Sequence, residues 1–300
     1  MKKVFQAFSV CAYNYHRWRK NPRIIITFLL AFILCFLLTD KVISFAQDYG
    51  ATMQMFEPFV WTFGDSNSIL LVSMLLILLF SDIPFISSGT PYFLMRTDRT
   101  TWIVGQILYI VSATFIFLLF VLFSTMALCF KIAFPGNVWS KTAATLGYSG
   151  DGLSSSLPVL VKTLEMSRPF KCTSHIFLMM LMYSLVLVLI MLYFNLRHGQ
   201  RAGVISVFAF TIYGFILTPA TIAGIFELPD ELYYQANVAM GWLSPLNHAT
   251  YHMHNFGYDL LPRLWQSYII FAVLILFLFV ISIRSIKKYN FYFTGTEGGA

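Results

Sequence analysis

Six apolar runs, each about as long as a bilayer crossing, constrain this 300-residue sequence more than any other feature. A helix that crosses about 30 Å of hydrocarbon needs about 20 apolar residues, since each residue adds about 1.5 Å. A spanning segment must also satisfy its own backbone hydrogen bonds, and a helix does so. The runs therefore predict six membrane-spanning helices, at about 24–45, 67–86, 102–130, 175–195, 204–226 and 264–283.

The composition supports the same interpretation. Hydrophobic residues make up 58% of the chain and charged residues 11%, with a mean hydropathy of +0.72. These values are far from those of soluble proteins and exclude a soluble enzyme with a charged cleft. We predict an all-α integral membrane protein in which residues 1–300 form one transmembrane domain.

The distribution of lysine and arginine predicts the orientation of the chain. Six crossings place both termini on one side, and cytoplasmic loops carry an excess of basic residues. With the termini in the cytoplasm, 13 of the 20 Lys and Arg residues fall on the inner side, and most acidic residues fall outside. We expect a multi-pass protein of the cell membrane with both termini cytoplasmic and without a cleaved signal peptide.

The first 20 residues predict an interfacial amphipathic helix. One arc holds apolar and aromatic residues and the opposite arc holds polar and basic ones. The apolar arc comprises Val4, Phe8, Cys11, Tyr15 and Trp18, and the polar arc comprises Lys2, Gln6, Ser9, Tyr13 and Lys20. We expect this helix to lie along the inner leaflet against anionic headgroups. A disordered basic tail is the alternative.

The inner loop at 81–101 is the most informative connection. Pro84, Gly89 and Pro91 interrupt it, and Tyr92 to Asp98 can form about two helical turns. A short helix that carries both apolar and charged residues on the inner face suits contact with a soluble partner. The alternative is an ordinary basic anchor for the neighbouring spans. The second inner loop, 195–203, is too short for such a helix.

Two outer segments, 131–174 and 227–263, are longer than simple connections. In the first, Leu157, Leu160, Val161 and Leu164 repeat with helical spacing. Ser156 is suited to cap such a helix, and Pro158 fits its first turn. The second segment predicts short helices that dip towards the membrane before the last span.

Three histidines are the candidate metal ligands. His248 and His252 are spaced to share a helix face, and His254 follows closely. Hydrogen bonding of these histidines to backbone or water is the alternative. The stretch from Gly136 to Thr142 lacks the glycine that precedes the lysine of a phosphate-binding loop, so we expect no cofactor in this chain.

Two further classes of protein are disfavoured. The net charge of +7 could suggest nucleic acid, but the basic residues flank the apolar runs rather than share one solvated face. The four cysteines, Cys11, Cys35, Cys129 and Cys172, have no metal-ligand spacing and predict no disulfide framework.

The predicted spans carry essentially no charge at their centres. Ion-coupled carriers usually place ionisable groups in mid-membrane. We therefore expect that any energy for transport comes from another subunit.

Several short motifs resemble the permease subunit of bacterial ABC exporters of the second class, with the type V fold. They extend over about half of the chain, together with the predicted arrangement of spans. The motifs are Ser81-Asp-Ile-Pro84, Arg96-Thr-Asp-Arg99 with the nearby Thr101-Trp-Ile-Val-Gly-Gln106, Leu243-Ser-Pro-Leu-Asn247, and His254-Asn-Phe-Gly-Tyr-Asp-Leu-Leu-Pro262. The long outer segment between spans three and four departs from the family pattern.

The resemblance implies two ATPase subunits, which bind ATP and magnesium, and a second permease chain, identical or related. It implies an ATPase-coupling helix formed by Tyr92, Phe93, Leu94, Met95, Arg96, Asp98 and Arg99. Within this helix, Arg96, Asp98 and Arg99 would be charged anchors, and Phe93, Leu94 and Met95 apolar plugs. Phe80, Tyr213 and Phe215 are the candidate residues of a translocation seam.

We therefore expect an ATP-driven exporter subunit that is not itself an enzyme. Its aromatic, methionine-rich and uncharged spans suit an amphiphilic cargo, such as an antimicrobial peptide, a drug or a lipid-like molecule. A membrane-embedded enzyme centred on the three histidines and an ion-coupled carrier are the alternatives.

Overall fold

The computed structural model describes residues 2–18, 21–86, 90–149 and 159–291, and these residues are mostly helical. The helices of the first half are α1 (Lys2–His16), α2 (Pro22–Asp48), α3 (Glu57–Phe63), α4 (Ser66–Phe80), α5 (Thr90–Arg96), α6 (Arg99–Cys129) and α7 (Lys141–Tyr148). Those of the second half are α8 (Val161–Met166), α9 (Pro169–His198), α10 (Gln200–Ile216), α11 (Pro219–Ile225), α12 (Tyr233–Leu243), α13 (Pro245–Ala249) and α14 (Leu264–Ile286). Two short strands, β1 (Met53–Gln54) and β2 (Ala133–Phe134), pair in parallel.

The all-α membrane class is confirmed. The helices α2, α6, α9 and α14 are each long and apolar enough to cross a membrane. They contain most of the predicted spans 24–45, 102–130, 175–195 and 264–283. The count rises to six if each of two bent helix pairs is one span.

The other two predicted spans, 67–86 and 204–226, differ in detail from the structure: the first ends early, at Phe80, and follows a bend, and the second contains a bend. Helix α4 ends at Phe80 and meets α3 at 88°, while α10 ends at Ile216 and meets α11 at 83°. Asp65 starts a new helix after the first bend because its carboxylate accepts the N–H of Asn67. At the second bend, Pro219 cannot continue a helix because it lacks an N–H. The Thr218 hydroxyl then caps α11.

The helices alternate in direction between two faces. We call the face that carries residues 81–86, 90–99, 195–200 and 287–291 the terminal face. The opposite face, which carries β1, β2 and residues 135–149, 159–168 and 226–263, is the distal face. The ion pair between Lys3 and Asp98 and the bonds from Arg99 to residues 287 and 289 place both described chain ends at the terminal face.

Helix α9 lies at the centre and α2 and α14 lie at the periphery. About 67% of the apolar stretch of α9 is buried, against 28% for α2 and 22% for α14. The buried side of α2 carries small residues four apart, Thr27, Ala31 and Cys35, which permit close packing against its neighbours. Its other side exposes large apolar side chains, as expected for a surface in contact with lipid.

The predicted N-terminal helix exists, but its buried face differs from the prediction. Ala7, Val10 and Asn14 are buried because α1 packs lengthwise on α6. Val4 and Phe8, predicted to be in one arc with Trp18, are exposed, while Trp18 packs against the core. The helix face predicted from hydropathy is therefore not the face that contacts α6. Lys20 lies outside the described residues.

A glycine permits this close approach of α1 to α6. A Cβ atom on Gly105 would lie 2.7 Å from the carbonyl oxygen of Ala7 and 2.7 Å from Cβ of Val10. One atom belongs to the backbone and the other is attached to it, so neither can move aside unless α1 itself moves. Asn14 also donates to the buried side-chain oxygen of Gln106 at 2.9 Å, so polar and steric contacts fix one register.

The described residues hold only part of the outer helix predicted from Ser156. Helix α8 starts at Val161, and Leu160 before it has an extended backbone, with φ −100° and ψ 124°. The predicted cap Ser156, Leu157 and Pro158 lie outside the described residues. The prediction of short helices within 227–263 is confirmed by α12 and α13.

Candidate docking site on the terminal face

The short helix α5 projects apolar side chains from the terminal face. Tyr92 is 70% exposed and Met95 80% exposed, whereas Phe93 and Leu94 pack against the core. The sequence predicted a helix from Tyr92 to Asp98, and the observed helix runs from Thr90 to Arg96. Asp98 is instead the residue before α6, with an extended backbone at ψ 150°.

Helix α1 holds α5 from one side. The amide of Gln6 donates to the backbone oxygen of Arg96 at 2.9 Å, where α5 ends. The ring of Tyr13 meets that of Phe93 edge to face, with 5.1 Å between centroids. Lys3 and Asp98 form an ion pair at 2.8 Å, but both side chains are well exposed, and such pairs add little stability. The contacts of Gln6 and Tyr13 connect any movement of α5 to α1.

Arg99 ties the start of α6 to the end of the chain. Its guanidinium donates to the carbonyl oxygens of Lys287 and Tyr289, each at 3.1 Å. It also lies 5.5 Å from the ring centroid of Phe291, and the ring of Trp102 meets the same ring. The residue predicted as a charged anchor for a partner is therefore engaged within the chain.

The loop that leads to α5 is fixed at its start. Arg23 of α2 forms an ion pair with Asp82 and donates to the Ser81 hydroxyl at 2.7 Å. The side-chain amide of Asn195 donates to the carbonyl oxygen of Ile83. The loops that hold Ile83 and Asn195 thus lie next to each other on the terminal face.

The three candidate metal ligands do not converge. His248 Nδ1 and His254 Nε2 each lie 2.8 Å from the Ser267 hydroxyl, but His252 lies apart, with Nδ1 3.2 Å from the Gly64 carbonyl oxygen. Among the described residues, no group of three His, Cys, Asp or Glu side chains is arranged to hold a metal ion.

Backbone carbonyls set the roles of the two clustered rings. His254 Nδ1 lies 3.0 Å from the Thr250 oxygen and His248 Nε2 lies 3.0 Å from the Trp242 oxygen, so these nitrogens donate. The Ser267 hydroxyl has one proton and donates to one ring at a time. Burial lowers the pKa of His254 to about 4 and also lowers the pKa values of His248 and His252. The arrangement is a buried hydrogen-bond network of neutral rings.

The predicted seam residues occupy two environments. Tyr213 and Phe215 of α10 are about half exposed, on a side that also exposes Ile205 and Ile212. Phe80 is fully buried at the end of α4, where its ring meets that of Tyr109. Phe80 thus packs inside the subunit, Tyr213 and Phe215 lie on its surface, and the translocation seam stays a prediction.

An apolar groove of about 710 Å³ opens on the flank of the molecule, and the sequence did not predict it. Leu119 and Leu122 of α6 lie on one side, and Phe177 and Leu178 of α9 lie on the other. Phe56 and Phe170 close its distal end with rings at 90° to each other. Residues distant in sequence form it, so no local pattern predicts it.

Comparison of the chain with protein-family models, with curated proteins and with solved structures found no match. Function is therefore argued from the geometry of the site.

Proposed function

We propose that this chain is the membrane-spanning subunit of an ATP-driven ABC exporter and that a separate ATPase docks on α5 from the cytoplasm. The observation that carries the proposal is the pair of exposed apolar side chains, Tyr92 and Met95, on a helix of seven residues at the terminal face. Apolar side chains exposed together beside charged ones favour a protein contact. The resemblance of Arg96-Thr-Asp-Arg99 to the exporter motif supports the same assignment.

The contacts of α5 supply a route for mechanical coupling. A partner that displaces α5 also displaces α1, through Gln6 and Tyr13, and α6, which starts three residues after α5 ends. Helix α6 extends over 31 residues towards the distal face. Nucleotide binding to the partner would shift the population of two arrangements of these helices.

The proposed cargo is an amphiphile with an apolar portion. The groove between α6 and α9 is lined mainly by aliphatic and aromatic side chains. It lies beside α6, the helix that the docked ATPase would move. A second permease chain, identical or related, and two copies of the ATPase would complete the exporter, as the resemblance implies.

Copurification tests the proposal. The full chain, affinity-purified in mild detergent from its native membranes, is expected to bring with it magnesium-dependent ATP hydrolysis. Met95→Glu should reduce that activity about tenfold or more, because a charge at the centre of an apolar contact is costly. Met95→Leu should retain it.

Val138→Glu is the matched control because Val138 is 68% exposed on the distal face, where a cytoplasmic ATPase cannot reach. Equal loss of activity in Val138→Glu and Met95→Glu, or full activity in Met95→Glu, would contradict docking on α5. Uphill transport by the purified chain alone without nucleotide would support an ion-coupled carrier instead.

A further inference from the structure

A pocket on the terminal face collects positive charge between the ends of α9 and α14. It has a volume of about 430 Å³, and its charged lining residues are Arg197, Arg284 and Lys288. Leu196 and Ile281 supply an apolar part of the lining. No acidic side chain is among the residues that line it.

The charge of this pocket is not neutralised by the described part of the chain. The ion pairs among the described residues are Lys3–Asp98, Arg23–Asp82 and Lys162–Asp259, and none of them includes a residue that lines the pocket. Arg197 donates to the Tyr193 hydroxyl at 3.3 Å, which is a neutral partner. The carboxyl ends of the two helices contribute about half a negative charge each. Three cations thus outweigh about one unit of opposing charge, and the pocket favours an anion.

An apolar stripe leads from the lipid-facing surface into this pocket. Val273, Phe277 and Val280 are exposed on α14. At 100° per residue, Arg284 falls on the same face of the helix as these three side chains. Phe277 and Arg284 are seven residues apart, which corresponds to about 10 Å along the helix. The surface therefore changes from apolar to cationic along one line, as the surface of a lipid does from chain to headgroup.

We infer that the pocket binds the phosphate headgroup of an anionic phospholipid, with an acyl chain along the exposed stripe of α14. Basic pockets between membrane helices on the cytoplasmic side suit such headgroups. A soluble phosphate would use the cations but not the stripe. The inference is independent of the proposed ATPase.

Lipid titration followed by native mass spectrometry tests the inference. The purified full chain in neutral detergent is titrated with phosphatidylglycerol and with phosphatidylcholine of the same acyl chains. Phosphatidylglycerol should bind more tightly. Each cation near an anionic lipid contributes about a fivefold difference, so the double variant Arg284→Gln, Lys288→Gln should bind it about 30-fold more weakly.

The double variant Arg201→Gln, Lys287→Gln is the matched control, because both residues are exposed cations near the same helix ends and neither lines the pocket. It should bind phosphatidylglycerol like the wild type. Equal binding of the two lipids, unchanged binding in the pocket variant, or equal loss in the control would overturn the inference. So would displacement of the lipid by millimolar inorganic phosphate, which would identify a soluble anion as the ligand.

Discussion

At the scale of single residues, the carboxylate of Glu57 joins two segments of the distal face. Glu57 is fully buried, and its oxygens accept the Ser140 N–H at 2.7 Å and the Ser140 hydroxyl at 2.6 Å. Ser140 also caps α7 through the N–H of Ala143. One side chain of α3 therefore fixes the start of α7, which is 83 residues away in sequence.

Replacing Glu57 tests this connection. Glu57→Ala leaves buried donors of Ser140 without a partner, and we expect a loss of about 2–4 kcal/mol in the free energy of unfolding. The thermal midpoint in detergent should fall by several degrees. Glu165→Ala is the control, because the Glu165 carboxylate is exposed and accepts a hydrogen bond from the exposed Tyr148 hydroxyl at 3.1 Å. Similar midpoints for Glu57→Ala and Glu165→Ala would show that the buried bonds add no net stability.

The buried histidines predict a loss of stability in acid. Burial lowers the folded pKa of His254 from 6.5 to about 4. Between these values the unfolded chain binds a proton that the folded chain does not, so stability falls as the pH falls. For His254 alone the full effect is about 3 kcal/mol. Over this range the contribution of His254 should lower the thermal midpoint in detergent, and the difference in pH dependence between the wild type and a His254 variant measures that contribution.

Variants separate this effect from general acid sensitivity. His254→Gln should have a flatter dependence of the midpoint on pH, whereas His16→Gln should behave like the wild type because His16 is exposed. The same dependence of the midpoint on pH in His254→Gln and in the wild type would contradict the prediction.

The sequence identified residues at this scale only in part. His248 and His254 were singled out by spacing, but their common partner Ser267 lies on another helix, α14. Gln6 and Tyr13 were assigned to a polar arc facing headgroups, and they contact α5 instead. Side-chain partners of this kind depend on tertiary packing, which hydropathy does not contain.

At the scale of elements, the packing of α1 on α6 depends on Gly105. Gly105→Ala places a methyl group 2.7 Å from backbone and Cβ atoms of α1. We expect α1 to be displaced, since overpacking costs about 1–3 kcal/mol. Cys11, which lies partly buried between the two helices, reports on this movement. A water-soluble maleimide should modify Cys11 about fivefold or more faster in the variant.

Two features of the chain make this measurement selective. Cys35, Cys129 and Cys172 are buried, so they should react more slowly than Cys11. Gly224→Ala is the control because a Cβ at that helical glycine meets no atom within 4 Å. Unchanged labelling of Cys11 in Gly105→Ala would mean that α1 accommodates the methyl group without moving.

The long apolar helices could be predicted because length and hydropathy set them locally. The bend at Leu217-Thr218 could not be placed in that way, because a hydropathy window averages across it, and the bend at Gly64-Asp65 lies just before the predicted span 67–86. The sequence nevertheless contains residues that start new helices at these points. They are Pro58 in the first turn of α3, Asp65 as the cap of α4 and Pro219 in the first turn of α11. A polar cap or a proline thus marks each bend, although the residues around it are apolar.

At the scale of the whole molecule, alternating helices bring both described chain ends, α5 and the loop 195–200 to the terminal face. The sequence predicted this common face from the number of apolar runs. It did not predict that α9 is central. Helices α9 and α14 have similar hydropathy and differ in the fraction of their apolar stretch that other helices bury. Nor did it predict the groove or the basic pocket, which form between helices distant in sequence.

Photo-crosslinking from position 95 tests the central claim, that a separate ATPase acts on this chain through α5. A photoreactive phenylalanine analogue replaces Met95 in the full chain, and cells are irradiated before purification. We expect a light-dependent adduct with a protein that binds ATP, and no such adduct from the same analogue at position 138. An adduct with an ATP-binding protein at Val138 but not at position 95, or no adduct at position 95 while the chain remains folded and active in transport, would contradict it.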